Sequence, residues 1–132
     1  MGQSGSLVIW SSDRGLDYQA AVDRMTSYTL GRDDQSSDAL WPVEHPAVFS
    51  LGLAAQSHHL LNTGSIPVVQ TDRGGQVTYH GPGQLVIYCL LNLRRYHLTV
   101  RSLVRLLEGA LIDFIEGLGI KPAYRVVGAP GV

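Results

Sequence analysis

Arg73, Gln76, Thr78, Tyr79, His80 and Gln84 fall within one twelve-residue run, Arg-Gly-Gly-Gln-Val-Thr-Tyr-His-Gly-Pro-Gly-Gln. That is more hydrogen-bonding capacity than a hairpin needs in order to fold, and it is the composition of a binding site. The glycines permit positive φ and close approach of backbone to a ligand, and Pro82 fixes one φ in the second turn. An imidazole at position 80 can hydrogen-bond and orient a polar group. The plainer alternative is a glycine-rich hairpin whose polar groups face water, with His80 a hydrogen-bonded structural histidine. None of the 5 histidines has partners at metal-ligand spacing. The one cysteine, Cys89, lies in the apolar run 86–91, expected to be a strand buried on both faces, where a thiol is inert. Lys121, the only lysine, precedes Pro122 and reads as a surface residue.

The elements that must position this run follow from periodicity and turn chemistry. Residues 7–10 read as a short apolar strand closed by the loop 11–15. From Asp17 the spacing is helical, with Tyr18, Ala21, Val22, Met25 and Thr29 on one face and Gly31 as the stop. Residues 32–38 form a solvated loop. Residues 41–44 and 47–51 read as a pair of strands joined by a turn at His45-Pro46, and residues 54–61 as a helical turn or two. Residues 66–70 form another strand, leading into a central hairpin built from 76–79 and 85–91. Val100, Leu103, Val104, Leu107, Leu111, Phe114, Ile115 and Leu118 trace one face of the strongest helix, capped by Thr99 and stopped by Gly119, and this face is expected to be buried as the anchor of the sheet. Residues 123–127 read as a last strand. Strands in neighbouring pairs with irregularly interspersed helices predict an α+β fold, a mixed sheet with helices packed on it.

At 132 residues, 45% hydrophobic and 16% charged, the chain fits a single compact domain over residues 1–132. A formal net charge of -1 provides no basic field for nucleic acid. A lone cysteine gives no disulfide framework, and residues 1–6 lack the basic start and apolar stretch of a signal peptide. With no apolar run of bilayer-spanning length, the expected location is the cytoplasm, with no membrane partner.

Residues 73–84, continued by Leu85, Val86 and Tyr88, resemble the signature of the lipoyl(octanoyl) transferases, which move an octanoyl group from acyl carrier protein to a lysine of a lipoyl domain. Glu44-His45-Pro46 with Ser50 and Gly52 is similar to that family's upstream Glu-His strand, although the family more often has Thr where Ser50 stands. Gly128-Ala129-Pro130-Gly131-Val132 is similar to its downstream motif. The resemblance implies the catalytic fold shared with biotin and lipoate protein ligases. It implies thioester chemistry through a cysteine acyl-enzyme, with a lysine activating the thiol and no metal or organic cofactor. Both of those family positions lie downstream of Val132, so no catalytic residue is expected within this chain and the domain is expected to be incomplete at its C-terminal end. What carries over is the acyl-binding segment Arg73, Gly74, Gly75, Gln76, Val77, Thr78, Tyr79 and His80, with Val77 and Tyr79 as apolar wall and Arg73 or His80 orienting the polar end. The implied partners are octanoyl-acyl carrier protein, lipoyl domains of 2-oxoacid dehydrogenases and the glycine cleavage H protein. Arg94, Arg95, Arg101 and Arg105 could greet an acidic carrier, or simply form the solvated face of a helix. Two other readings stand beside this one: a non-catalytic remnant that binds acyl groups or a protein partner, and a ligase of the same fold that uses ATP.

Overall fold

The computed structural model describes residues 5–132; Met1 to Ser4 of the N-terminal stretch read for a leader lie outside the described residues. The chain forms two compact units, divided between Leu91 and Asn92.

The first unit is organised on β3 (Asp38–Glu44), in which Ala39, Trp41 and Val43 are buried and Leu40, Pro42 and Glu44 only partly so. This period-two burial marks a strand with one face on the core. β7 (Val86–Leu90) runs antiparallel along one edge of β3. β1 (Leu7–Ile9) and β2 (Asp13–Arg14) run parallel along the other edge, pairing Ile9 with Leu40 and Asp13 with Val43. The edge therefore takes one residue more than β3 over the same span, a bulge that splits it in two. Pro42 sits opposite the break. The Leu40 and Glu44 carbonyls accept from Trp10 N at 3.0 Å and Leu16 N at 3.2 Å, so Pro42, in phase with them, turns its missing N–H towards an interruption where no ladder bond is needed.

Helix α1 (Tyr18–Gly31) starts where predicted, with Asp17 accepting from Ala20 N at 3.0 Å as N-cap. It buries Tyr18 and Ala21, and Ala21 joins Trp41 and Val43 in a core lined by Trp10, Leu16, Met25 and Tyr88. Fully burying a side chain of Val43's kind contributes about 1.5–3 kcal/mol. The other face of this sheet stays open, with Leu7, Ile9 and Ile87 exposed.

A second sheet has the order β5-β4-β6: β4 (Val48–Leu51) lies between the parallel β5 (Val68–Gln70) and the antiparallel β6 (Val77–His80). The α+β reading holds, but two expected pairings do not. β3 and β4 are not partners, because both edges of β3 are already taken. β6 and β7 form no hairpin, since β6 pairs β4 and β7 pairs β3. The connections 45–47 and 81–85 each carry the chain from one sheet to the other. Residues 54–61 supply only a short 3-10 turn, Ser57–His59.

In the second unit a 3-10 turn, Leu93–Tyr96, precedes α2 (Val100–Gly117). Thr99 Oγ1 accepts from Ser102 N at 3.1 Å and Ser102 Oγ accepts from Thr99 N at 2.8 Å, a capping box. Gly119, at φ +86°, follows the last turn. The predicted burial of the apolar face is not realised: Val100, Leu107, Leu111, Phe114 and Leu118 are exposed, and the one buried residue of α2 is Glu108. Its carboxylate bonds Arg125 Nε at 3.0 Å and Gly131 N at 3.0 Å, tying the tail to the helix. The strand expected at 123–127 is reduced to one isolated bridge, Val126 with Ala129; Ala123 N donates to Glu116 Oε1 at 3.4 Å and Arg125 Nη2 to the Arg105 carbonyl at 3.1 Å, so these groups are held by α2. No helix among the described residues is long and apolar enough to cross a membrane.

Candidate functional site

Four rings meet where the two sheet-switching connections lie side by side. Tyr18 opens α1, His45 follows β3, His80 ends β6 and Tyr88 stands on β7. His80 stacks on Tyr18 with centroids 5.5 Å apart and planes 17° off parallel, and meets His45 edge-on at 5.9 Å. His45 also contacts Tyr18 at 5.2 Å and Tyr88 at 5.8 Å. The cluster is a packed set of rings, not loose surface side chains.

His45 is 1% exposed and uses both ring nitrogens. Nδ1 lies 2.7 Å from the Leu16 carbonyl, which can only accept, so Nδ1 carries the proton; Nε2 then accepts from the Tyr88 hydroxyl at 2.8 Å. Burial, and secondarily the neighbouring Tyr18, push the Tyr88 phenol well above the ordinary tyrosine value. His80 is partly buried, with Nδ1 2.7 Å from Gln84 Oε1.

Arg73 is consumed by structure. Its Nε and Nη2 donate to the buried Ser50 Oγ at 3.2 and 2.9 Å, Nη2 reaches Ser50 O at 2.7 Å and Gln76 O at 3.2 Å, and Nη1 reaches Gly74 O at 2.8 Å. The guanidinium thus clamps the 73–76 turn onto β4. Gly52 completes the clamp from the other side. Its N–H donates to Gln76 O at 2.6 Å, and a Cβ there would stand 2.3 Å from Gly75 O and 2.7 Å from Gly74 O. Leu53 N and Ala54 N add bonds to Arg73 O and Gly75 O at 2.9 and 3.0 Å.

Strand alternation divides the predicted segment between two faces. The register Val48–His80, Phe49–Tyr79, Ser50–Thr78, Leu51–Val77 puts Thr78 and His80 with Ser50, and puts Val77 and Tyr79 with Phe49 on the opposite side, where the Tyr79 and Phe49 rings lie 5.5 Å apart. Val77 and Tyr79 therefore cannot wall the space that His80 faces. A groove of about 450 Å³ in this unit shares Tyr18 and Tyr88 with the ring cluster and is lined further by Val22, Met25, Leu30 and Arg73 among others. Its apolar wall comes from α1.

Cys89 is half-buried, not enclosed on both faces, and burial pushes its thiol upward, away from the reactive thiolate. Lys121 is exposed, as expected. Among the described residues no group of His, Cys, Asp or Glu could hold a metal. Tyr18, His45 and Tyr88 of the ring cluster and Ser50 of the clamp are residues that periodicity cannot reveal, since each reads locally as a helix face, a turn or a strand. His45, Ser50 and Tyr88 are nevertheless positions of the motifs quoted above, which is the one signal that could have found them.

Residues 17–132 match the family model described as "Lipoyl protein ligase A/B catalytic domain". The chain is 53% identical over 116 residues to the octanoyltransferase of Shewanella sediminis, covering 88% of this chain and 52% of that protein. It is 52% identical over 116 residues to the octanoyltransferase of Shewanella woodyi, with the same coverage. The chain thus spans about half the length of these curated relatives. Among solved structures it resembles protein Ta0514 of T. acidophilum, described as a candidate lipoate protein ligase, with a TM-score of 0.66 at 14% identity over 97% of this chain and 55% of that one. That likeness bears on the fold alone.

Proposed function

Since this chain belongs to the lipoyl protein ligase A/B catalytic domain family, we propose that it carries the acyl-binding site of an octanoyltransferase, a protein that moves an octanoyl group from acyl carrier protein to a lipoyl-domain lysine in the cytoplasm. The observation that carries the reading is the identity of 53% with an octanoyltransferase over a stretch that includes the whole ring cluster and the clamped turn. The backbone of the segment Arg73, Gly74, Gly75, Gln76, Val77, Thr78, Tyr79 and His80 forms the mouth of the site, with the side chains of Val77 and Tyr79 turned to the other face of the strand. Arg73 and the glycines hold its backbone in place, and His80 faces the thioester end. The acyl chain lies along the α1 groove, against Val22 and Met25. The acceptors are lipoyl domains of 2-oxoacid dehydrogenases and the glycine cleavage H protein.

The covalent step is a thiolate attack on the carrier's thioester carbonyl, followed by attack of the acceptor amine on the acyl-enzyme. Cys89 is not assigned to it, because its burial works against thiolate formation.

Equilibrium binding of octanoyl-pantetheine and butyryl-pantetheine tests the reading. Four methylenes at about 0.8 kcal/mol each predict a preference for octanoyl on the order of 100-fold. His80→Ala should weaken both ligands together, leaving the ratio intact. Equal affinity for the two chain lengths would sink the acyl site, and an unchanged affinity in the variant would remove His80 from it. Binding of ATP by the same chain would favour a ligase instead.

A further inference from the structure

We propose that Gln84 is a positioning residue that holds His80 as its Nδ1–H tautomer and presents Nε2 as the proton-accepting atom of the site. The inference rests on the acyl-transfer reading for its purpose, though not for its geometry. Gln84 Nε2 donates to the Tyr79 carbonyl at 3.3 Å. A carbonyl can only accept, so this bond fixes the amide with Oε1 turned towards His80. Oε1 can likewise only accept, so at 2.7 Å the His80 Nδ1 must be the donor. In a neutral imidazole Nε2 is then left with its lone pair.

The ring cannot swivel away from this arrangement, because Tyr18 stacks on one face at 5.5 Å and His45 abuts it at 5.9 Å. The turn that follows is shaped to return the glutamine. Gly81 is buried, Gly83 takes φ +86°, and Gln84 N donates to Gly81 O at 3.1 Å, which brings side chain 84 back over residue 80. Nε2 makes no hydrogen bond among the described residues. Every buried side-chain nitrogen and oxygen there has a partner, so Nε2 reaches solvent.

An acyl transfer to a primary amine needs such an atom. The amine lone pair forms the N–C bond at the thioester carbonyl, the C–S bond breaks with its electron pair leaving on sulfur, and the surplus N–H proton passes to Nε2, from which the thiolate recovers it. A histidine in the Nε2–H form, which predominates in free histidine, would offer a donor at this point and could not take the proton.

Long-range ¹H–¹⁵N correlation spectra of the ¹⁵N-labelled full chain, recorded above the histidine titration, read the tautomer directly. Wild type should show His80 protonated at Nδ1. Gln84→Leu should lower the Nδ1–H to Nε2–H ratio by roughly tenfold, the worth of one ordinary hydrogen bond, and Gln84→Glu, which keeps an acceptor there, should restore it. A wild-type His80 protonated at Nε2, or a Gln84→Leu spectrum unchanged from wild type, overturns the proposal; the wild-type spectrum alone decides if the leucine variant does not fold. No acyl ligand enters this measurement. A confirmed tautomer in a chain that fails to prefer octanoyl would therefore remove the acyl reading and leave the positioning role standing.

Discussion

Among the described residues the hydroxyl of Tyr88 is the only group that satisfies Nε2 of the buried His45. Tyr88→Phe removes it without changing the ring, so His45 keeps a buried acceptor with no donor, at a cost of about 1–3 kcal/mol. Urea denaturation at pH 7 should show that loss. The pH dependence follows from the raised phenol of Tyr88. A group whose folded value lies above its unfolded value stabilises fully below the unfolded value, about 10 for tyrosine, and that contribution fades as pH rises from there towards the folded value. The gap between wild type and Tyr88→Phe should therefore narrow above about pH 10, and a constant gap would mean that the hydroxyl is not protected by burial. At this scale the sequence reveals His80, because a dense polar run between glycines is a local signal. Periodicity conceals Tyr18, His45 and Tyr88, of which motif resemblance marks only the last two, because their meeting depends on which sheet each strand joins.

Strand identity follows largely from local composition: β1, β4, β5 and β7 fall within the stretches read as extended, and β6 runs one residue past its stretch, but β3 starts at Asp38, three residues before the strand read at 41–44 and inside the stretch read as a solvated loop. Pairing does not, because nothing in residues 45–47 or 81–85 states whether the chain folds back on its own strand or crosses to another sheet. Gly52 is where the second sheet and the 73–76 turn lock together. A methyl group there meets the Gly75 carbonyl at 2.3 Å, and backbone on both sides cannot yield cheaply. Gly52→Ala should cost about 3 kcal/mol, the upper end of overpacking, and should weaken octanoyl-pantetheine binding because the mouth of the site shifts with the turn. Gly74→Ala is the control. Its Cβ would meet nothing within 4 Å and its φ is not positive, so the change should stay within about 0.5 kcal/mol. Equal losses in the two variants, read by urea denaturation, would refute the packing account.

The molecule as a whole exposes apolar surface in each of its units. On the first sheet Ile9, Leu40 and Cys89 lie in one row across three strands, flanked by Leu7 and Ile87, with Ile9 at 74% exposure. On α2 the stripe of Leu107, Leu111, Phe114 and Leu118 is exposed as well. The amphipathic pattern of that helix was legible, but what covers its face is a tertiary fact that no periodicity carries. Contiguous exposed apolar surface favours association, and little net charge opposes it here, with a formal charge of -1 and a pI near 6.5. Light scattering of the chain should accordingly show concentration-dependent association, strongest near pH 6.5 and weaker at pH 8.5. Ile9→Lys places a charge in the middle of the sheet's open row and should raise the concentration at which association begins by roughly tenfold, as a charge does on an exposed edge strand. If Phe114→Lys has that effect and Ile9→Lys has none, the contact runs through α2. A chain that stays monomeric at every concentration and pH would show that neither apolar surface is available to a second copy.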